Sequence, residues 1–120
     1  MGVVRRRRDA GGPGWRWDGV DPRAYANGAE RHLLFGREEG ARQVELRYFE
    51  IPAGGASALE HHPHEHAVMI LHGTGTVLLG ETEQPVGPGD AVHVASNERH
   101  QFRAGAEEPL GFACAVLAVR

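Results

Sequence analysis

The sequence predicts an all-β protein, a single closed barrel or sandwich of short strands such as a jelly roll. Its length of 120 residues suits one domain with one hydrophobic core. Seventeen glycines and seven prolines indicate many tight turns. From Gln43 onward, short apolar or alternating runs are separated by turn residues about every 8–12 positions, which is typical of sandwiches and barrels. One stretch, residues 23–35, permits a helix, but Gly28 and Gly36 bound it poorly.

The strand pattern is clearest where it begins. Val44, Leu46 and Tyr48 alternate with polar residues, and Phe49 and Ile51 then shift to the opposite parity. This shift indicates either a β-bulge or a strand that is covered on both faces. Roughly eight short strands are expected in all. The others include residues 67–71, 76–79 with a hairpin back toward Val86, 91–94, 100–103 and 110–119.

The N-terminal segment differs from the rest of the chain. Residues 1–14 are charged and then rich in glycine and proline, which predicts a flexible basic arm preceding a single barrel domain at 15–120. Trp15 and Trp17 are costly to leave in water, so they are expected to anchor this arm on the barrel or on a second subunit. The part of the chain after Trp17 carries eight arginines against fifteen acidic residues and would repel a phosphate backbone, so no specific nucleic-acid partner is expected.

Composition excludes several function classes. Because the chain contains no lysine, lysine Schiff-base and general-base chemistry are excluded. The single cysteine, Cys114, cannot form an internal disulfide, and this favours a reducing compartment. The longest apolar run, Ala113–Val119, is too short to span a membrane, and the first residues lack the apolar region of a signal peptide. These features predict a cytoplasmic protein without a membrane partner.

Seven of the eight histidines lie between His61 and His100, which is the main indication of function. Glu60, His62 and His66 have the same parity, so they can converge inside a barrel if the chain turns at Pro63. His100, at the start of a later strand, is the fourth candidate. One carboxylate with neutral imidazoles suits a divalent ion such as Mn, Fe, Co, Ni or Zn. The pattern therefore predicts one divalent metal ion per chain, with positions left open for water or a ligand.

Alternatives remain for this cluster and its surroundings. A tighter triad of His62, His64 and His66 would bind a metal without Glu60. His93 is a candidate for the pocket or for a partner of a ligand histidine. Cys114 faces either the barrel mouth or the core, and the core is favoured. His61 and Glu65 are expected at the surface, Glu65 alternatively beside a ligand histidine. The candidates to orient a carboxylated substrate are Arg47, Tyr48, Gln101 and Arg103.

The spacing of the predicted ligands resembles the two motifs of the cupin superfamily. The first motif, G-x5-H-x-H-x3-4-E-x6-G, matches in spacing from Gly54 to Gly73, with Glu60 at its first ligand position and His66 at its third. The second motif, G-x5-P-x-G-x2-H-x3-N, keeps Gly89 and His100, whereas its proline, second glycine and asparagine are replaced. The resemblance covers about residues 40–119, chiefly through the first motif.

A single-domain cupin-2-type protein is what this resemblance implies. Its fold would be the double-stranded β-helix, and Glu60, His62, His66 and His100 would take the four ligand positions. The E-x-H-x3-H arrangement is similar to that of the manganese-binding ureidoglycine aminohydrolases, in which the fourth ligand is glutamine. By the same resemblance, His72 lies on the outer surface of the barrel, and the protein is a two-fold homodimer.

Two classes of function follow. The first is a metal-dependent enzyme acting on a small polar or carboxylated metabolite, of the oxygenase, decarboxylase, isomerase or hydrolase type. The second is a non-catalytic module that binds or senses a small ligand. A titratable residue facing the open metal position would favour the enzyme, and the candidates for it are Tyr48, His93 and Cys114.

Overall fold

The computed structural model describes residues 2–118 and consists of antiparallel strands joined by short turns. Met1 of the predicted arm, and Val119 and Arg120 of the predicted barrel, lie outside the described residues. The strands are β1 (Arg7–Asp9), β2 (Trp15–Trp17), β3 (Arg23–Ala24), β4 (Glu30–Phe35), β5 (Val44–Ile51), β6 (His66–His72), β7 (Gly75–Leu79), β8 (Thr82–Val86), β9 (Ala91–Val94), β10 (His100–Ala104) and β11 (Leu110–Leu117). Two 3₁₀ turns, Ala26–Gly28 and Arg37–Glu39, are the helical elements within 2–118.

Two sheets form the barrel. One has six strands in the order β3-β4-β5-β11-β6-β9, and the other has three in the order β10-β7-β8. The main core lies between them, where Phe102 of β10 stacks on Phe112 of β11 with ring centroids 4.3 Å apart. The predicted all-β jelly-roll barrel, the double-stranded β-helix of cupins, is therefore confirmed. None of the described residues forms a helix long and apolar enough to span a membrane.

Strand β5 is covered on both faces, which explains its change of parity. Phe49 and Ile51 face the main core, whereas Tyr48 is fully buried on the opposite face in a second cluster with Trp17. The strand pairs with β11 residue for residue, so the parity change needs no bulge in that pairing. In β5 the residues with the parity of Phe49 therefore face the interior. The alternating apolar residues seen in the sequence lie on the outer face.

A short hairpin of β1 and β2 covers that outer face. Trp17 packs edge-on against Tyr48 with ring centroids 5.0 Å apart, so the barrel itself anchors the tryptophans. Nearer the N-terminus, Arg5 pairs with Glu39 at 3.0 Å and donates to the Leu34 carbonyl. The segment predicted as a flexible arm contributes one strand and two ion pairs, Arg5 with Glu39 and Arg8 with Asp18.

The stretch that permitted a helix forms strands instead. Residues 23–24 and 30–35 are β3 and β4, joined through the first 3₁₀ turn. In β4 the side chains of His32 and Leu34 are buried on the outer face beneath the hairpin. Pairing with β5 determines this conformation, because a neighbouring strand overrides weak local helix propensity.

Candidate metal centre

The backbone brings Glu60 beside His100. The amide of His100 donates to the carbonyl of Glu60 at 2.9 Å, and the amide of Glu60 donates back at 3.2 Å. His66 is the first residue of β6, and His100 is the first residue of β10. Both side chains are buried and line one cavity at the same end of the barrel. The turn at Pro63, where the Ser96 hydroxyl donates to the Pro63 carbonyl, separates His62 from β6.

Three of the four predicted ligands form one group. One ring nitrogen from each of His62, His66 and His100 lies within 4.8 Å of those of the other two. Their ring centroids are between 5.1 and 5.7 Å apart. Three imidazoles converging at this distance are a suitable donor set for a borderline divalent ion.

The hydrogen bonds of two of these rings leave a nitrogen free toward the shared space. Nδ1 of His100 donates to the Glu98 carbonyl at 2.9 Å, so its Nε2 carries a lone pair. Nδ1 of His66 lies 3.3 Å from Cys114 Sγ, and its buried Nε2 has no hydrogen-bond partner within residues 2–118. Buried polar atoms are rarely left unsatisfied, so this nitrogen fits the role of a metal ligand.

The lowered pKa of His66 suits a metal ligand. Burial, reinforced by the nearby His100 and Arg47, lowers the pKa of His66 to about 3. The ring is therefore neutral over the physiological pH range, and a histidine must be neutral to act as a ligand.

Glu60 lies beside the three histidines but outside their group. Its Oε1 accepts a 2.6 Å hydrogen bond from the Tyr25 hydroxyl and lies 3.3 Å from His62 Nε2. Burial would raise the pKa of Glu60, but these two hydrogen bonds outweigh it and lower the pKa below its ordinary value. Glu60 is therefore ionised and within reach of the same centre.

His64, the residue of the alternative triad, also lies at this end of the barrel. Its ring stacks on His62 with centroids 4.9 Å apart and approaches His66 at 4.8 Å. Burial, followed by the charge of His62, lowers its pKa. His64 nevertheless falls outside the group whose donor atoms converge, among the residues described.

Other sequence candidates lie away from this centre. His93 is exposed and bonds Glu65 at 2.6 Å, so neither faces the metal candidates. Tyr48 and His72 belong to the outer cluster beneath the N-terminal hairpin. His61 is exposed. Gln101 donates to the Ser57 carbonyl, and Arg103 pairs at 4.0 Å with the exposed Glu83.

A cavity of about 160 Å³ opens beside the histidines. Phe49, Phe102 and Phe112 form its apolar wall. This volume is small beside the ~300–1,000 Å³ of typical sites for drug-sized ligands, so a small metabolite suits it. Three polar residues that the sequence did not single out also line it, Tyr25, Arg31 and Ser57. Tyr25 lies in the connection between β3 and β4 and carries no motif, whereas Arg31 would have been found by recognising β4 as a strand.

Cys114 faces this cavity as well. Its Sγ lies 3.3 Å from His66 Nδ1 and accepts a hydrogen bond from Arg47 Nη2 at 3.6 Å. Burial raises the pKa of the Cys114 thiol, and the Arg47 guanidinium opposes that rise. Of the three residues expected to distinguish an enzyme from a binder, Cys114 lines the cavity, whereas Tyr48 and His93 do not.

Known proteins resemble this chain closely. Residues 47–116 match the model of the cupin domain family Cupin_2. The chain is 43% identical over 113 residues to 1-methylthio-D-xylulose 5-phosphate methylsulfurylase of Rhodospirillum rubrum, covering 88% of this chain and 71% of that protein. A crystal structure of a cupin-2 domain from Rhodospirillum rubrum superposes with a TM-score of 0.80 at 45% identity, covering 88% and 74% of the two chains.

A second solved structure agrees over a longer stretch. A cupin 2 conserved barrel domain protein from Rhodopseudomonas palustris matches with a TM-score of 0.83 and 41% identity, covering 98% of this chain and 82% of the other. These matches agree with the features of the chain itself, which are its strand order, its motif spacing and its converging histidines. Since the family model spans more than half of the sequence, the chain belongs to the cupin family.

Proposed function

We propose that this protein is a metal-dependent enzyme acting on a small phosphorylated ketose, with 1-methylthio-D-xylulose 5-phosphate as the first candidate substrate. The observation that carries the proposal is the buried, unpartnered Nε2 of His66 beside two further histidines, at a small cavity that also contains a thiol. The substrate comes from the relative in Rhodospirillum rubrum that bears this name and is 43% identical.

Glu60, His62, His66 and His100 would hold the metal, a divalent ion such as Mn, Fe, Co, Ni or Zn. When bound, such an ion acts as a Lewis acid that polarises a carbonyl or hydroxyl oxygen of the ligand. Cupins commonly bind a metal, and the donor set here fits one, because it combines the ionised carboxylate of Glu60 with three converging imidazoles, among them the neutral ring of His66.

The remaining cavity residues have distinct roles in this proposal. Tyr25 holds its proton, since burial and the bond to Glu60 raise its pKa to about 12. It therefore orients the carboxylate. Cys114 presents the titratable sulfur to the ligand, in contact with His66 Nδ1 and accepting from Arg47. A titratable group facing the cavity favours an enzyme over a module that only binds its ligand.

The test starts from untagged protein. Elemental analysis should find close to one divalent ion per chain, and ¹H and ³¹P NMR should show consumption of 1-methylthio-D-xylulose 5-phosphate. Cys114→Ser should keep the metal and lose most of the turnover, while His93→Gln, which alters an exposed histidine, should change neither. If the compound binds to metal-loaded protein but stays intact over hours, the protein is a binding module. If the chain carries no metal, the proposed centre is wrong.

We also propose a two-fold homodimer formed through the outer face of the six-stranded sheet. The hairpin covers one part of this face, while Val44, Met69 and Leu117 remain 51%, 44% and 64% exposed on adjacent strands. A second copy of the same face would bury them. Light scattering at micromolar concentration should give a dimer mass that Met69→Glu reduces to that of a monomer, and a monomeric parent protein would contradict the proposal.

A specific nucleic-acid partner is not part of this proposal. Three arginines of the basic run are engaged within the chain: Arg5 with Glu39, Arg7 over the Trp15 ring at 4.0 Å, and Arg8 with Asp18 at 3.6 Å. These contacts and the acidic body support a structural use of the run.

A further inference from the structure

We propose that Arg31 and Arg47 form an anion-binding end of the cavity that holds the phosphate group of the ligand. This inference rests on the proposed function for the identity of the ligand. It assigns the recognition of phosphate to two residues outside the metal centre.

The two arginines come from adjacent strands and share one face. In the pairing of β4 with β5, Arg31 lies opposite Phe49 and Leu33 lies opposite Arg47. Arg31 and Arg47 are therefore diagonal neighbours on the inward face, close enough for two long side chains to reach one ligand group. Both line the cavity, and Arg47 also lies over the Phe49 ring, with its Cζ 5.2 Å from the ring centroid.

Neither guanidinium has an anionic partner of its own. Within residues 2–118, no carboxylate lies within ion-pair distance of Arg31 or Arg47, and Arg47 donates a hydrogen bond to the neutral Cys114. The Nε of Arg47 is buried without a hydrogen-bond partner. A partly buried cation with an unsatisfied donor is costly unless an anion completes it.

The charge of the cavity has the sign that attracts an anion. Apart from the histidines, the charged residues lining it are Arg31 and Arg47, which are positive, and Glu60, which is negative, so these three sum to one net positive charge. Glu60 already accepts from Tyr25 and contacts His62. This pocket lies in a protein with a net charge of -3. Two guanidinium groups match a dianionic phosphate monoester in charge and in bidentate geometry.

The experiment compares a phosphate ester with its parent ketose, which lacks the phosphate group and can also close to a furanose through its free C5 hydroxyl. D-Xylulose 5-phosphate and D-xylulose are titrated calorimetrically into the metal-loaded protein. The phosphate ester should bind at least about 10-fold more tightly, because it alone gains charged hydrogen bonds from both arginines. Equal affinity for the two ligands would overturn the proposal.

Three variants locate the effect. Arg31→Gln and Arg47→Gln should each weaken binding of the phosphate ester by about 10- to 100-fold and leave binding of D-xylulose and the metal content unchanged. Arg103→Gln, the matched control, removes the same charge outside the cavity and should have less than about a 2-fold effect in 0.15 M salt. If Arg103→Gln weakens binding as much as the cavity variants do, only the overall charge matters and the proposal fails.

Two further measurements separate related outcomes. Arg47→Lys keeps the charge without the bidentate donors, so it should give an intermediate loss even if Arg47→Gln does not fold. Malonate should compete poorly with the phosphate ester, and strong competition would assign this end of the cavity to carboxylates instead. If the variants behave as expected but no substrate is turned over, the phosphate site stands and the proposed enzyme does not. If turnover is found and the arginine variants bind normally, the reverse holds.

Discussion

The outer cluster beneath the N-terminal hairpin and the inner cavity are built from the same kinds of side chain, and they differ in how those side chains are satisfied. In the outer cluster, Arg16 donates to Glu50 at 2.8 Å and pairs with Glu30 at 3.3 Å. The Tyr48 hydroxyl contacts His72 Nε2 at 2.6 Å and accepts from the Trp15 amide. The charges of this region are paired within the chain.

The inner cavity shows the opposite condition. The Nε2 of His66 and the Nε of Arg47 are buried without hydrogen-bond partners in the described part of the chain, and Arg31 has no carboxylate partner there. One atom of the outer cluster, Nδ1 of His32, is also unpartnered. Burial lowers the pKa of that histidine and keeps it neutral, so no charge is left uncompensated. Unsatisfied groups that converge on one space indicate a ligand site, whereas a single neutral nitrogen in a packed cluster does not.

The largest expected effect tests whether the outer cluster is purely structural. Trp17→Ala should lower the free energy of unfolding by about 3–5 kcal/mol, because it removes a buried indole from Tyr48 and its neighbours. Urea denaturation measures this loss. Elemental analysis of the folded variant should find the metal content of the parent protein, and loss of metal would show that the two regions are not independent.

The next effect concerns the inner cavity. His66→Ala and His100→Ala should each weaken metal binding by more than about 100-fold, since even a group that only orients a ligand contributes ~10–100-fold. Competition with a chelating dye measures the affinity. His72→Ala, in the outer cluster, is the matched control and should leave it unchanged. If His64→Ala abolishes binding while Glu60→Ala does not, the tighter triad with His62 is the true centre.

Acid should destabilise the metal-free protein through His66. The pKa of His66 in the folded state is about 3, below its unfolded value near 6.5, so the unfolded chain binds more protons between these values. The contribution of neutral His66 to stability is therefore fully present above about pH 6.5. It is lost as the pH decreases, and at pH 5 the free energy of unfolding is lower by about 2 kcal/mol from this residue alone. Urea denaturation at several pH values measures the slope. His66→Gln cannot titrate and should have a shallower slope, and an unchanged slope would contradict this cause.

The sequence predicts the fold and most of the candidate site because both depend on local spacing. Glycines and prolines mark the turns, and the spacing from Glu60 to His66 places these residues at one end of a barrel. The contributions of Tyr25 and Arg31 could not be read in this way. Tyr25 reaches Glu60 across thirty-five positions of the chain. Arg31 faces the cavity only because β4 pairs with β5. Such contacts arise from strand pairing, which no short motif encodes.

The smallest effect concerns Tyr25, the inner counterpart of Tyr48. Tyr25→Phe removes the hydroxyl that donates to Glu60 at 2.6 Å and keeps the ring contact with Phe49, so at neutral pH the free energy of unfolding should fall only by the contribution of that one hydrogen bond. Losing this hydrogen bond should raise the pKa of Glu60, because the bond to Tyr25 is what most opposes the effect of burial. That bond stabilises the ionised form, so its contribution is present above the unfolded pKa and is lost as the pH falls through the folded value.

Carboxyl ¹³C NMR of the metal-free protein measures the titration of Glu60 directly. The acid limb of metal binding in Tyr25→Phe should also move to higher pH, because a carboxylate must be ionised to act as a ligand. Tyr48→Phe removes a tyrosine hydroxyl from the outer cluster, and it should reduce stability without altering Glu60. If Tyr48→Phe shifts the titration of Glu60, or if Tyr25→Phe does not, the hydroxyl of Tyr25 is not what holds that carboxylate ionised.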